Sequence, residues 1–292
     1  MENVRSKLVV ISWWSNCLGL TCLRQLAKHT RQRDIYVVQV GKTQRQKERF
    51  RAYMPPSVKE LPYAQEAAAE HCRVIEAVSY RLLVDQAGLW FIDHDTFVYE
   101  DCQPWLNRMD RVFSCSNLCL CHPRPSNGPA ITNPAFWLSP RRLPPDLPSL
   151  AVIPYRQTRA AKRPYAIRRR AELIMPEKDT LVLAKEFLAA RGMACDFPLK
   201  GNGLWAAAPA RSMPPFPRHQ HLSGLYLLAG PVLPEQFFQW MRECVQRFTL
   251  FYETCPHAWL AAEDPVLLRR LREFQKAVGI SPGRRLKEIE DG

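Results

Sequence analysis

Apolar and polar positions fall in blocks along this chain, and the blocks have strand and helix lengths in turn. Residues 8–13, Leu-Val-Val-Ile-Ser-Trp, are β-branched and apolar almost throughout, the composition of a buried strand. Ser15 or Asn16 can then cap a helix in which Leu20, Leu23 and Ala27 recur at helical spacing. Residues 35–40, Ile-Tyr-Val-Val-Gln-Val, read as a second strand that stops at Gly41. Strand, helix and strand in this order predict a right-handed parallel crossover.

Residues 43–53 carry Arg45, Lys47, Arg49 and Arg51 and read as a basic, solvated segment. Pro62 opens a long predicted helix over 63–87, closed by Gly88, with Ala68, Cys72, Ile75, Ser79 and Leu82 on one stripe. A strand-like run from Leu89 to Ile92 then meets Asp93-His94-Asp95 before Thr96-Phe97-Val98 returns to apolar character. Such a run predicts a buried parallel strand that delivers two acids to its carboxyl end, the edge where open α/β sheets bind ligands. With alternation along an extended segment, Asp93 and Asp95 point to the same side and can share one hard divalent cation.

Further along, a short helix is expected around Trp105-Leu106 and a strand over 111–116. Residues 131–138 are strand-like but contain Pro134, which predicts an edge or bulge; Thr132, Asn133 and Trp137 there suit an acceptor pocket. Residues 140–165 are rich in Pro and Arg and read as an irregular excursion. Asp179 caps a helix to Arg191 that Gly192 ends, residues 222–228 form another strand, and 234–254 an aromatic core helix. The fold class expected is α/β: a mostly parallel central sheet flanked by helices, in a single compact domain with a helical C-terminus. Residues 1–255 are expected to form the main domain, in two halves over about 1–110 and 111–255, and 256–292 a C-terminal helix and tail packed on it.

Composition narrows the partners. Forty-one Lys and Arg against twenty-eight Asp and Glu give a formal charge of +13, which favours nucleotides, nucleic acid or an anionic membrane surface. Seven basic residues and no acid lie between Arg156 and Arg170, a run that could meet lipid headgroups or phosphates. Basic and aromatic residues do not interleave on strands, so no strong nucleic-acid signal is present. The ten cysteines lack a disulfide framework, and the polar start leads straight into a strand, so a cytoplasmic protein is expected, peripheral at the inner membrane face where the basic run engages lipid. Cys115, Cys119, Cys121 and His122 have spacing unlike paired zinc knuckles and are weighed as core-filling residues. The loop after the first strand has no Gly-rich fingerprint, which disfavours a Rossmann dinucleotide site.

A strand ending in Asp-x-Asp (Asp93, Asp95), preceded by a helix bearing Arg73, resembles the signature of nucleotide-sugar-dependent glycosyltransferases of the GT-A fold, itself Rossmann-related. The resemblance is at motif level and covers residues 7–110 and 219–265. It implies transfer of a sugar from a UDP- or GDP-linked donor, with Mn²⁺ or Mg²⁺ held by Asp93 and Asp95. It implies nucleotide contacts from Trp13, Trp14 and Ser15, with Trp14 free to stack on a base, although either Trp can equally fill core. It gives Arg73 a donor contact, with Arg81 as competitor and a surface ion pair to Glu70 or Glu76 as the simpler role. Ser223 and Gly224 match a small-residue pair where the sugar approaches backbone, and Asp93 also reaches the donor. His221, its neighbour His219, or His257 competes to be a third metal ligand. Glu263 is the candidate base of an inverting reaction, and Asp264 beside it is first of all a helix cap before Pro265.

The rivals are a nucleotidyltransferase, a basic nucleic-acid- or membrane-binding α/β protein without catalysis, and a degenerate transferase fold kept as a partner subunit. A nucleotidyltransferase normally opens on a Gly-rich phosphate loop, which this chain lacks.

Overall fold

The computed structural model describes residues 5–13, 15–63, 71–98, 100–112, 118–122, 135–147, 182–200, 206–207 and 219–221, with Arg269, Arg272, Gln275, Lys276 and Gly279. The chain divides into two compact units, one of Met1–Trp14, Gly19–Pro154 and Glu177–His221, the other of Ser15–Leu18, Tyr155–Pro176 and Leu222–Gly292. Every described strand belongs to the first unit, whose architecture is α/β with a mixed, mostly parallel sheet. The expected helix over 234–254 and strand over 222–228 lie outside the described residues, as does the basic run over 156–170.

The first strand, β1 (Lys7–Trp13), is buried through its middle five residues and lies parallel to β2 (Ile35–Val40) on one side and to β4 (Leu89–Asp93) on the other. Two-sided burial explains why its sequence is a continuous apolar run rather than an alternating one. Helix α1 (Asn16–His29) connects β1 to β2, and its cap is Ser15, whose Oγ accepts the Leu18 N–H at 3.0 Å. Strand β3 (Val58–Glu60) extends the parallel set beyond β2. Beyond β4 come β7 (Ala135–Leu138), antiparallel to both β4 and β6 (Leu118–His122), then β8 (Ala194–Lys200) parallel to β6, and β9 (Ala206–Ala207) at the edge. The order is β3-β2-β1-β4-β7-β6-β8-β9.

One face of this sheet buries Val9, Ile11, Val38, Val40, Phe91 and Phe136 against Val74, Ile75 and Val78 of the helix before β4 and Ala184 and Leu188 of α5 (Val182–Ala189). Phe91 and Phe136 stack across β4 and β7 with ring centroids 4.7 Å apart. The other face carries α1, since a methyl at Gly19 would sit 2.1 Å from Ser12 Oγ on β1. Residues 190–193 close α5 in a Schellman turn, with Gly192 at φ +68° and the Met193 N–H on the Leu188 carbonyl at 2.8 Å.

Several elements depart from the sequence expectation. Residues 44–53 are a helix, α2 (Gln44–Tyr53), because Thr43 and Gln46 form a reciprocal capping box and Phe50 is fully buried beneath it. The helix before β4 is described as α3 (His71–Ala77) running into a π turn at Val78–Leu82, where the Leu83 N–H reaches the Val78 carbonyl at 2.8 Å. It ends short of Gly88, so that glycine is no helix cap. A Cβ there would lie 2.8 Å from Trp137 Nε1, and the residue is small because β7 crosses it closely. The run after β4 is not one strand: His94 and Asp95 form a turn, and β5 (Thr96–Val98) leaves the main sheet to pair antiparallel with β10 (His219–His221). Helix α4 (Gln103–Val112) occupies the start of the strand expected at 111–116, and the strand itself is β6, later in the chain. Strand β7 is central rather than an edge, since all four of its residues pair with β4 and three of them, Phe136, Trp137 and Leu138, also pair with β6; Pro134 lies outside the described residues.

Candidate functional site at the β1–β4 switch

From β1 the connected strands run outward as β2 and β3 on one side, while β4 takes the other, so the order reverses between β1 and β4. A crevice outside the carboxyl ends of strands at such a reversal is the general ligand position of open α/β sheets. Three strands deliver chemistry to this edge. β1 ends in Ser12 and Trp13, β2 is followed by Gly41 and Lys42, and β4 ends in Asp93, which pairs with Ile11 in register.

Asp95 follows in the turn and is 5% exposed, and His94 beside it is 9% exposed, while Asp93 is half-buried. The strict alternation expected of an extended segment therefore does not hold, because the turn replaces it. Both carboxylates lie within electrostatic reach of one buried thiol. The thiol of Cys22 on α1 donates to the Asp93 carbonyl at 3.8 Å, and its pKa is raised well above the ordinary value, first by burial and then by the charges of Asp95 and Asp93. Cys22 is accordingly a neutral thiol under the acid pair and no nucleophile.

Two oxygen-donating carboxylates are a suitable protein share for Mg²⁺ or Mn²⁺, which keep several coordination positions for water and substrate phosphate. Among the described residues no group of three or more His, Cys, Asp or Glu side chains could hold a metal alone. The register of β10 on β5 sets the backbone of His221 opposite Thr96, one residue past Asp95, and that of His219 opposite Val98. His257 lies outside the described residues, as do Trp14, Ser223, Gly224, Glu263, Asp264, Thr132 and Asn133.

Trp13 is half-buried at the end of β1. Ser15 spends its hydroxyl on the α1 cap and belongs to the second unit. Arg73 and Arg81 are both exposed on the helix and π turn before β4. Trp137, expected at an acceptor pocket, is instead 2% exposed and buried against Gly88. Cys119, Cys121 and His122 lie in β6, and Cys115 outside the described residues.

One residue at this edge escaped the sequence reading. Lys42 is 6% exposed, donates from Nζ to Ser12 Oγ at 2.8 Å, and lies 3.8 Å above the centre of the Phe50 ring. A lysine directly after the glycine that ends a parallel strand was the available signal. It places a buried cation at the carboxyl ends of β1 and β2, on the same edge as the acid pair.

No protein-family model matches the chain, and no curated protein does. Among solved structures, the neighbours are glycosyltransferases and enzymes of nucleotide-sugar chemistry. One is a protein assigned as a nucleotide-diphospho-sugar transferase from Desulfovibrio desulfuricans G20, at 9% identity and a TM-score of 0.42 over 66% of this chain and 80% of that one. Another is assigned as a glucose-1-phosphate thymidylyltransferase from Bacillus anthracis, at 9% identity and 0.40 over 70% and 89%. A third is the glycosyltransferase GlyE of Streptococcus pneumoniae TIGR4, at 12% and 0.40, where the alignment covers 65% of this chain and 45% of GlyE. At these scores no residue role is carried across, and the roles given to residues of this chain rest on its own topology and side chains.

Proposed function

We propose that this chain is a metal-dependent glycosyltransferase that moves a sugar from a nucleotide-sugar donor to an acceptor hydroxyl. The observation that supports this most is the acid pair itself: Asp93 ends the strand on one side of the switch point, Asp95 follows in the turn, and both act on Cys22. In the transfer, the bond between the anomeric carbon and the diphosphate oxygen breaks, a bond to the acceptor oxygen forms, and the acceptor proton passes to a base or to water. The developing charge on the diphosphate is the part of the barrier a site can lower. Asp93 and Asp95 would hold a divalent cation, which would supply that neutralisation. The half-buried Trp13, with Trp14, offers the nucleoside an aromatic surface, and Ser223 and Gly224 offer the sugar close backbone approach. His221 or His257 would complete the cation's protein ligands, Arg73 would contact the donor, and Glu263, beside Asp264, would be the base if the reaction inverts.

A thermal-shift panel of UDP-, GDP- and CDP-linked sugars, each with and without Mn²⁺, tests the reading. At least one nucleotide should raise Tm only with the metal, and Asp95→Ala should abolish that rise. A rise that survives Asp95→Ala, or that requires a nucleoside triphosphate with a sugar phosphate instead, counts against sugar transfer.

A further inference from the structure

The opposite end of the sheet has a different electrostatic character. Parallel pairing of Leu8 with Ile35 brings the start of β1 and the residues before it beside the loop before β2, so Arg5 and Lys7 meet Arg31 and Arg33 at one depression. With Gln32 and Asp34 they line an open depression of about 350 Å³. Four cations therefore share this depression with one carboxylate. That carboxylate is already taken: Lys7 is ion-paired with Asp34, which also accepts Lys59 Nζ at 3.1 Å, and the Lys7 hydrogen bond leads in holding its pKa below the ordinary value.

Arg33 is fixed in the wall. Its Nη1 donates to the Ser6 carbonyl and Ser6 Oγ, both at 3.0 Å, and to Asp110 Oδ2 at 2.5 Å, while Nη2 donates to Asn107 Oδ1 at 2.8 Å. Its side chain is fully enclosed, and its Nε, shut away from solvent, has no hydrogen-bond partner among the described residues. Asp110 neutralises Arg33 from beneath. Arg5 and Arg31 are exposed and have no ion pair among the described residues, so their charges face the depression uncompensated. The carboxyl end of α1 opposes them with only about half a charge. Guanidinium forks match the paired oxygens of a phosphate, and the two exposed ones, Arg5 and Arg31, suit a dianion beside a wall that Arg33 stiffens.

We infer that this depression is a second ligand site, which takes a phosphate monoester group between Arg5 and Arg31 against the wall that Arg33 forms. It lies at the amino ends of the strands and is independent of the donor reading, because it shares no residue with the acid pair.

Titration of the full chain with inorganic phosphate, followed by Tm and compared with sodium chloride at equal ionic strength, tests it. Phosphate should give a saturable rise beyond that of chloride, and Arg5→Gln/Arg31→Gln, which removes both guanidinium contacts, should weaken the apparent affinity by roughly tenfold or more. Arg45→Gln/Arg141→Gln removes the same charge from exposed positions outside the depression and should leave the response intact. Equal responses to phosphate and chloride, an unchanged Arg5→Gln/Arg31→Gln variant, or equal weakening in both pairs would overturn the site. Sedimentation with phosphatidate-containing and pure phosphatidylcholine vesicles separates the sources. Phosphatidate-dependent sedimentation lost in Arg5→Gln/Arg31→Gln assigns the phosphate to a lipid headgroup, and no sedimentation alongside a retained phosphate response assigns it to a soluble ligand.

Discussion

Among the described residues the buried guanidinium of Arg33 has one charged partner, Asp110, whose carboxylate also accepts from the Ser6 backbone and hydroxyl. Removing one member of such a pair leaves the other enclosed and uncompensated, which costs more than the pair contributes. Asp110→Ala should therefore lower stability by about 3–5 kcal/mol in urea unfolding, whereas truncating an exposed pair such as Arg191–Asp146 should cost under about 1 kcal/mol. A second residue-scale effect is pH-dependent. Burial, then the charges of Asp101 and Glu100, push the Cys102 thiol up to about 12 from an ordinary 9.0. A thiol harder to ionise in the folded state favours folding fully below the unfolded pKa, and that contribution disappears as pH rises from about 9 towards about 12. Cys102→Ala should flatten the fall of Tm with pH on this alkaline limb and leave the profile near neutrality unchanged.

Elements were legible in the sequence where several local signals agreed. In β1, α1 and β2 the β-branched runs, the Ser15 cap and the helical spacing all point one way, and the structure follows them within a residue or two. α2 was hidden because its only buried side chain is Phe50, too little for an apolar stripe, although Thr43 and Gln46 spelled out its capping box. The turn at His94 and Asp95 was invisible because Thr96, Phe97 and Val98 continue the apolar character of β4, and only their pairing with β10 shows that they belong to another sheet. Gly88 was legible as a constrained position for the wrong reason: the constraint is the indole of Trp137, which arrives from a strand distant in sequence. Gly88→Ala should cost about 1–3 kcal/mol through overpacking, and Trp137→Phe in the same chain should recover part of that loss if the indole is the obstacle.

At the scale of the whole molecule, the sequence marked the acid pair and the parallel sheet but could not order the strands. The reversal between β1 and β4 comes from long-range pairing, and it is this reversal that turns two acids at the end of a strand into a candidate site. The residues expected around the donor sugar and acceptor lie largely outside the described residues, so the edge at the β1–β4 reversal carries the functional reading. Two carboxylates and one imidazole leave a cation's shell incomplete, so tight binding should depend on a diphosphate that completes it. Electron paramagnetic resonance of Mn²⁺ with and without UDP, on the wild type and on Asp93→Asn and Asp95→Asn, measures this directly. About one Mn²⁺ per chain should bind only when UDP is present, and each variant should lose it with Tm little changed. Mn²⁺ that binds equally well without UDP, or that remains bound in both variants, would contradict a metal-dependent transferase site at this edge.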